Sequence, residues 1–441
     1  MAKIYKTIYS DYQMKSSVYE AYFAEDLNNQ ELNIINVFPD VRYQEILGFG
    51  GAVTEAVGSI LNDMPDKDAS KILNMCFGNE GLNYSHIRTH IDSCDFSLSE
   101  YCSIDNEHYE KLNLKRDEKN IIPWIKRAQE YTNAPLEVIL SPWSPPAFMK
   151  SNNSRRHGGK LLKQYYRTYA EYICQYIKSY IEININVTRL TIQNEPNATQ
   201  EWDSCLYTVE EEKDFLQNYL YPVLKQNSIG HIKIYFWDHN KERIYERTKG
   251  IYDSTTKDMI TGAAFHWYSG DHFESLDIIR HKYPKLELIF TEGCIEYSRN
   301  SKDADLDHAQ KYAHEMIGNF NSGLNMFIDW NIILYSDGGP NYVNNFCAAP
   351  IMYNKTNGEF EIHLSYFYIW HFSHFLKKGA VRIGTSKFTD KLETVSFMNT
   401  NNEIIVVVMN KNSYPIDYVI RKEESLLKET IEGNAIATLI L

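Results

Sequence analysis

From about residue 44 to residue 330 the chain alternates β-like runs with helix-like runs, and this rhythm restricts the fold more than any other feature. Gln44–Phe49 reads as a short strand, followed by Gly50-Gly51 and a helix-like stretch over Ala52–Leu61. Asn83–Ile91 is the next strand, with a helix over Ile122–Glu130, and Leu136–Leu140 the third. Leu162, Tyr165, Tyr166, Tyr169, Ile173, Tyr176, Ile177 and Tyr180 recur at helical spacing, a stripe expected to pack on a sheet. Then come strand Val187–Gln193, helix Val209–Leu224 and strand Ile232–Trp237. Strand Ala263–Trp267, helix Leu276–His281, strand Leu286–Phe290, helix Ala309–Phe320 and strand Asn325–Trp330 complete the series. Strands that alternate with helices imply a parallel sheet, and eight of them imply a closed (β/α)8 TIM barrel.

At both ends the rhythm is different. Lys3–Ile8 and Leu32–Val37 are β-like with no helix between them, and so are Lys391–Phe397, Glu403–Met409, Ile416–Ile420 and Ala435–Leu441. Two short strands are unstable alone, so the N-terminal pair is expected to join the C-terminal set in an antiparallel β-sandwich. The division that follows is 1–43 for the N-terminal sandwich strands, 44–375 for the barrel and 376–441 for the C-terminal sandwich domain.

With 43% apolar and 23% charged residues the 441-residue chain has the makeup of an ordinary globular protein. A net charge of −13 and no basic face argue against a nucleic-acid partner. No window approaches the roughly 18 apolar residues of a membrane span. The N-terminal segment lacks an apolar core and a small-residue cleavage site, so the sequence reading is cytoplasmic. The seven cysteines form no CxxC pair, which fits a reduced protein without structural zinc. No HExxH, GxSxG or phosphate-loop pattern is present, so no metal and no cofactor is expected.

The chemistry sits where strands end. VTRLTIQ runs into Asn194-Glu195-Pro196, and Leu286–Thr291 runs into Glu292. Active sites of (β/α)8 barrels lie at the C-terminal rim of the strands. Two glutamates on that rim are the minimum equipment for acid/base and nucleophile chemistry on a glycosidic bond. Arg88, Asp95, Trp143, Asn194, Asp238, His266 to Tyr268, and Asp329 with Trp330 reach the same rim, so nearly every strand delivers a polar or aromatic group there.

GFGGAVTEA (48–56), IRTHIDSCDFS (87–97), SPWSPPAFMK (141–150), QNEPN (193–197), FHWY (265–268), TEGC (291–294), DWN (329–331), GGPNYVNNF (338–346) and HFSHF (371–375) follow one another in order. In this series the chain resembles the retaining glycoside hydrolases of the glucocerebrosidase group, family thirty, from about Gln44 to the C-terminus. The resemblance implies Glu195 as general acid/base, Asn194 on the sugar's 2-hydroxyl and Glu292 as nucleophile. It implies that Asp95, Trp143 and Trp330 bind the sugar, that Arg88, Tyr268 and Asn345 complete the site, and that His266 supports it. It also implies a β-sandwich beside the barrel. Ala198–Ser204 is shorter than in the family's lysosomal member and carries Trp202 on the leaving-group side.

The resemblance thus implies a retaining β-glycosidase on a small carbohydrate or glycoside, foremost a β-glucosidase of the glucosylceramidase type. A β-xylosidase, β-fucosidase or β-glucanase is the alternative within the family, and a non-catalytic carbohydrate-binding barrel the alternative outside it. The mechanism requires Glu195 to hold a proton near neutral pH, by burial or a neighbouring anion, and Glu292 to stay ionised beside Arg88 and Tyr268. A chain with no ligand cluster and no paired cysteines is expected to keep full glycosidase activity in EDTA and in a thiol reductant. Loss on chelation, reversed by one particular metal, contradicts this.

Overall fold

The computed structural model describes residues 1–28 and 32–441. Eight parallel strands close into a barrel: β1 (Gly48–Ala52), β2 (His86–Ile91), β3 (Glu137–Pro142), β4 (Val187–Thr191), β5 (Lys233–Asn240), β6 (Gly262–His266), β7 (Glu287–Glu292) and β8 (Met326–Asn331). They pair in chain order, with β8 closing on β1. Ile139, Tyr235, Ala264, Ile289, Met326 and Ile328 fill the interior. A much larger apolar layer lies between the barrel and its helices, where the tyrosine-rich helix Tyr166–Glu182 packs its stripe. Among the described residues, no helix is long and apolar enough to cross a membrane.

Both chain ends meet in one ten-stranded sheet beside the barrel, in which Ala2–Ser10 pairs antiparallel with Ala435–Ile440. Ile34–Glu45 runs between Val381–Lys387 and Ile416–Lys422. Ala2, Ile4, Val406, Val408 and Leu439 belong to its separate core. The helix Leu364–Ser373 seats this sheet on the barrel. Its fully buried His371 lies 2.9 Å from the hydroxyls of both Thr7 and Thr438, so one ring binds the first and last strands. Burial pushes that imidazole down to about 3, which keeps it neutral.

Several expectations are corrected. The first barrel strand begins at Gly48, not Gln44, and Gly50-Gly51 lie within it. They can: a Cβ on Gly50 would stand 2.2 Å from the His86 carbonyl oxygen, so the strands approach too closely for a side chain. Among the elements not read from the sequence are strand Gln13–Ala21 and helices Asp66–Phe77, Lys115–Asn120, Ile244–Ile251 and Leu364–Ser373. Gln13–Ala21 is a largely exposed strand without alternation, and Leu364–Ser373 is apolar all round because two layers cover it. Sandwich strands Val381–Lys387 and Ser425–Ile431 were also missed.

Two residues placed at the rim point elsewhere. Successive side chains of a strand face opposite sides, so with Ile328 in the barrel interior Asp329 faces outward. There it accepts a hydrogen bond from Tyr312 (2.8 Å). Trp267 likewise packs behind the sheet, with its ring centroid 4.7 Å from that of Tyr312.

Burial pushes the Asp329 carboxyl up to about 7, against the lowering effect of the Tyr312 hydrogen bond. The folded state therefore binds this proton more tightly than the unfolded chain, and stability falls as pH rises from about 4 to about 7. Asp329→Asn is expected to flatten that part of a melting-temperature profile. An unchanged slope contradicts the assignment.

Candidate active site

Arg88 stands at the centre of the barrel mouth. It leaves the middle of β2 and is fully buried. Its Nε donates to Ser141 Oγ (3.1 Å) and Nη1 to Glu292 Oε2 (2.7 Å). Nη2 donates to Asn194 Oδ1 and Asp238 Oδ2, both at 2.9 Å. The guanidinium also lies over the rings of Trp143 (4.8 Å) and Trp330 (5.3 Å), which stack on each other at 5.5 Å. One cation thus joins β2, β3, β5, β7 and β8 and the loop after β4.

Asp238 is the buried anion below it. Thr191 Oγ1 and Thr291 Oγ1 each donate to it at 2.6 Å, and His266 Nε2 lies 3.2 Å away. Burial alone would raise this carboxyl, but Arg88 and His266 hold it well below the usual carboxylate range. His266 is lowered by burial, yet Glu292, Asp238 and Glu195 outweigh that and push it up to about 9. It is therefore an imidazolium at neutral pH.

Glu195 and Glu292 face a common cleft of about 320 Å³. Glu292 ends β7, and its second oxygen accepts from the Tyr268 hydroxyl at 2.9 Å. Glu195 sits beyond β4 in the left-handed region (φ 47°), with its N–H on the Asp238 carbonyl (2.9 Å). Its Oε1 lies 3.3 Å from His266 Nδ1 and 3.5 Å from His239 Nδ1. Its Oε2 accepts from Gln200 Nε2 (3.1 Å). Burial pushes the Glu195 carboxyl up, but His239 and His266 hold it well below the usual carboxylate range.

The rest of the lining divides by character. Asp95, Phe96, Trp143, Trp330 and Asn345 form an aromatic and polar wall. Asp95 accepts from Asn341 Nδ2 (3.1 Å), and burial together with Glu292 pushes it well above the usual carboxylate range. Gln193 Nε2 fixes the carbonyl of Trp143 at 2.7 Å. Around Glu195 the wall is polar, with Gln200, His239, Asn240, Ser269, Glu296 and Arg299 beside the half-buried Trp202. Arg88 and His266 lie behind the cleft surface, while Asp95, Trp143, Asn194, Trp202, Tyr268, Trp330 and Asn345 line it. Apart from Asp329 and Trp267, the residues that the sequence placed at the rim therefore converge on one place.

Buried ion pairs hold the loops around it. Arg155 donates to Asp92 and Asp203, and Asp203 accepts from Tyr342 (2.8 Å). The loops after β2 and β4 and the stretch carrying Asn345 are thereby tied together. Gln200, His239, Asn240, Glu296 and Arg299 were not found from the sequence. His239 and Asn240 follow Asp238 directly, and Glu296 and Arg299 follow TEGC, so proximity to motifs was their only signal. A larger groove of about 810 Å³ lies on the sandwich, but its Lys6, Tyr19, Asp417 and Glu429 are paired within the protein. The convergent groups are in the barrel.

Sequence models of the glycosyl hydrolase family 30 TIM-barrel domain and β-sandwich domain match residues 46–376 and 379–439. The solved structure of SrfJ from Salmonella typhimurium superposes with a TM-score of 0.94 at 35% identity, covering 100% of this chain and 99% of that one. The endo-β1,6-glucanase BT3312 superposes at 0.88 with 27% identity, covering 100% and 99%. Mouse lysosomal acid glucosylceramidase is 27% identical, covering 90% of this chain and 81% of the mouse protein.

Arg88→Met leaves Asp238 and Glu292 without their buried counter-charge, and loss of one partner of such a pair costs about 3–5 kcal/mol. Denaturant unfolding is expected to show a loss of that size, part of it recovered in Arg88→Met/Asp238→Asn. A loss below about 1 kcal/mol, the range of exposed pairs, contradicts the clamp.

Proposed function

The chain belongs to glycosyl hydrolase family 30, and we propose that within it the protein is a retaining β-glycosidase cleaving β-glucosides, with Glu292 as nucleophile and Glu195 as acid/base. One observation carries this reading: two carboxylates share one cleft in unlike surroundings, Glu292 between a guanidinium and a phenol, Glu195 between two imidazoles. Environments that differ in this way are how two like groups take different roles.

Glu292 is oriented at both oxygens, and Arg88 balances the charge it carries toward the anomeric carbon. As the C–O bond to Glu292 forms, the glycosidic C–O bond breaks and its oxygen takes a proton from Glu195. That proton is stored next door. His266 is charged, bonded to Asp238 on one nitrogen and facing Glu195 on the other, so it passes its proton to Glu195 across 3.3 Å before the glycosidic bond breaks and takes one back from Glu195 after the second half-reaction. In the second half-reaction Glu195 draws a proton from water, which displaces Glu292. Asn194, held by Arg88, is placed for the 2-hydroxyl, and the stacked Trp143 and Trp330 offer a sugar ring an apolar face.

A glucose unit in the reactive subsite is supported by the relatives, one named a glucosylceramidase and one a glucanase. The polar wall around Glu195 favours a hydroxylated leaving group over a lipid. Hydrolysis of a nitrophenyl glycoside panel, with xyloside and fucoside as competitors, tests the sugar.

The roles are tested by stereochemistry. Glu292→Gly opens the face opposite the leaving group, so azide with an activated β-glucoside is expected to give the α-glucosyl azide. In Glu195→Ala the glucosyl-enzyme still forms, and azide enters from the other face to give the β-glucosyl azide. With a leaving group that needs a proton, Glu195→Ala is expected to lose about 10²–10⁴-fold in kcat/KM. Exchanged anomers reverse the two roles; two unimpaired variants remove both.

A further inference from the structure

Two imidazoles meet at one oxygen of Glu195, and only His266 is backed by a second partner. His239 comes from the cleft side, and its buried Nδ1 has no hydrogen-bond partner among the described residues. Its placement is built into the backbone. Trp237 (φ 75°) and Asp238 (φ 47°) are consecutive left-handed residues at the end of β5. Pairing with β6 skips one residue there: Trp237 faces Ala264 and His239 faces Phe265. Such a bulge re-aims side chains, and two non-glycine residues at positive φ are strained conformations that surrounding structure has to hold. Trp237 packs its ring on His239 at a tilt (centroids 5.0 Å apart), donates its N–H to Glu212 (3.2 Å) and its indole N–H to the Asn240 carbonyl (2.9 Å). Glu212 is itself paired with Arg247 at 2.6 Å. The imidazole is therefore held against Glu195.

The other titratable or charged groups around Glu195 are Asp238 from β5, His266 and Tyr268 from the end of β6, and Glu292 and Glu296 at and beyond the end of β7. Arg88 from β2, Asp95 from the loop after it, and Cys294 and Arg299 beyond β7 complete the ring. Among the described residues, apart from the neutral Gln200, only the two histidines lie against the carboxyl oxygens of Glu195.

We infer that His239 is a positioning residue for proton transfer: it stabilises the Glu195 carboxylate from the cleft side and so sets the upper pH limit at which Glu195 serves as an acid. The inference rests on the acid/base role given to Glu195 above. The proton passes from Glu195 to the glycosidic oxygen as the C1–O bond breaks and the bond to Glu292 forms. Without His239, burial and the nearby carboxylates act on Glu195 with one imidazole fewer opposing them, so it keeps its proton to higher pH.

The test compares kcat/KM against pH for wild type, His239→Phe and His239→Asn, with methoxyphenyl β-glucoside, whose leaving group needs a proton, and dinitrophenyl β-glucoside, whose leaving group does not. The alkaline limb with the methoxyphenyl substrate is expected to move up by roughly one pH unit in His239→Phe. His239→Asn keeps a neutral donor, so its limb is expected between the two. The dinitrophenyl profiles are expected to keep their shape, which also shows that the variants are folded and that Glu292 works. A limb that stays, moves down, or is replaced by an equal loss at every pH with both substrates overturns the positioning role. If the wild type cleaves neither glucoside, the functional reading falls and this inference falls with it.

Discussion

The Arg88 guanidinium is the interaction on which the site depends. A buried cation is tolerated when its donors are matched by acceptors and its charge by anions. Arg88 meets both conditions through Ser141, Asn194, Asp238 and Glu292, from four different parts of the rim. It can do so because β2 to β8 close around one axis and bring their C-terminal ends to within a side chain's length. The same cation underlies Trp143 and Trp330, so the aromatic face and Glu292 are positioned by one residue. Asp238 carries the arrangement a step further, since its second oxygen orients His266, and His266 faces Glu195.

Charge is shared out along this path. Arg88, Asp238, His266 and Glu195 alternate in sign, and each is buried. Alternation explains why an imidazole buried on every side stays charged, and why a buried glutamate does not hold its proton outright. Under the proposed roles, the acid is a carboxyl and an imidazolium that share a proton rather than a single raised glutamate. Left-handed backbone at Asp92, Glu195, Trp237 and Asp238 sets these side chains at their angles, and bonds such as Glu195 N–H to the Asp238 carbonyl hold that backbone.

Much of this was legible in the sequence, for identifiable reasons. Strand and helix periods revealed the barrel, and the motifs at strand ends pointed to Arg88, Asn194, Glu195, Glu292 and the tryptophans. The failures also have causes. Asp329 and Trp267 occupy rim positions in the chain, but strand alternation turns both behind the sheet. The Leu364–Ser373 helix lacks a polar face because barrel and sandwich both cover it. His239 could not be placed from periodicity, since a bulge breaks the alternation of β5 just before it. Gln200 lies in a loop fixed by tertiary ion pairs. The lowered carboxyl at Glu195 was unreadable because it depends on which side chains meet in space.

The central claim is that Glu292 attacks the sugar while Glu195 handles the proton. Its most direct measurement is peptide mass spectrometry of the wild-type protein after incubation with a fluoro-deoxyglucosyl fluoride, whose slow turnover traps the covalent intermediate. The account predicts one fluoroglucosyl group, on the peptide carrying Glu292. A label on Glu195, or none while the reagent is turned over, would contradict it.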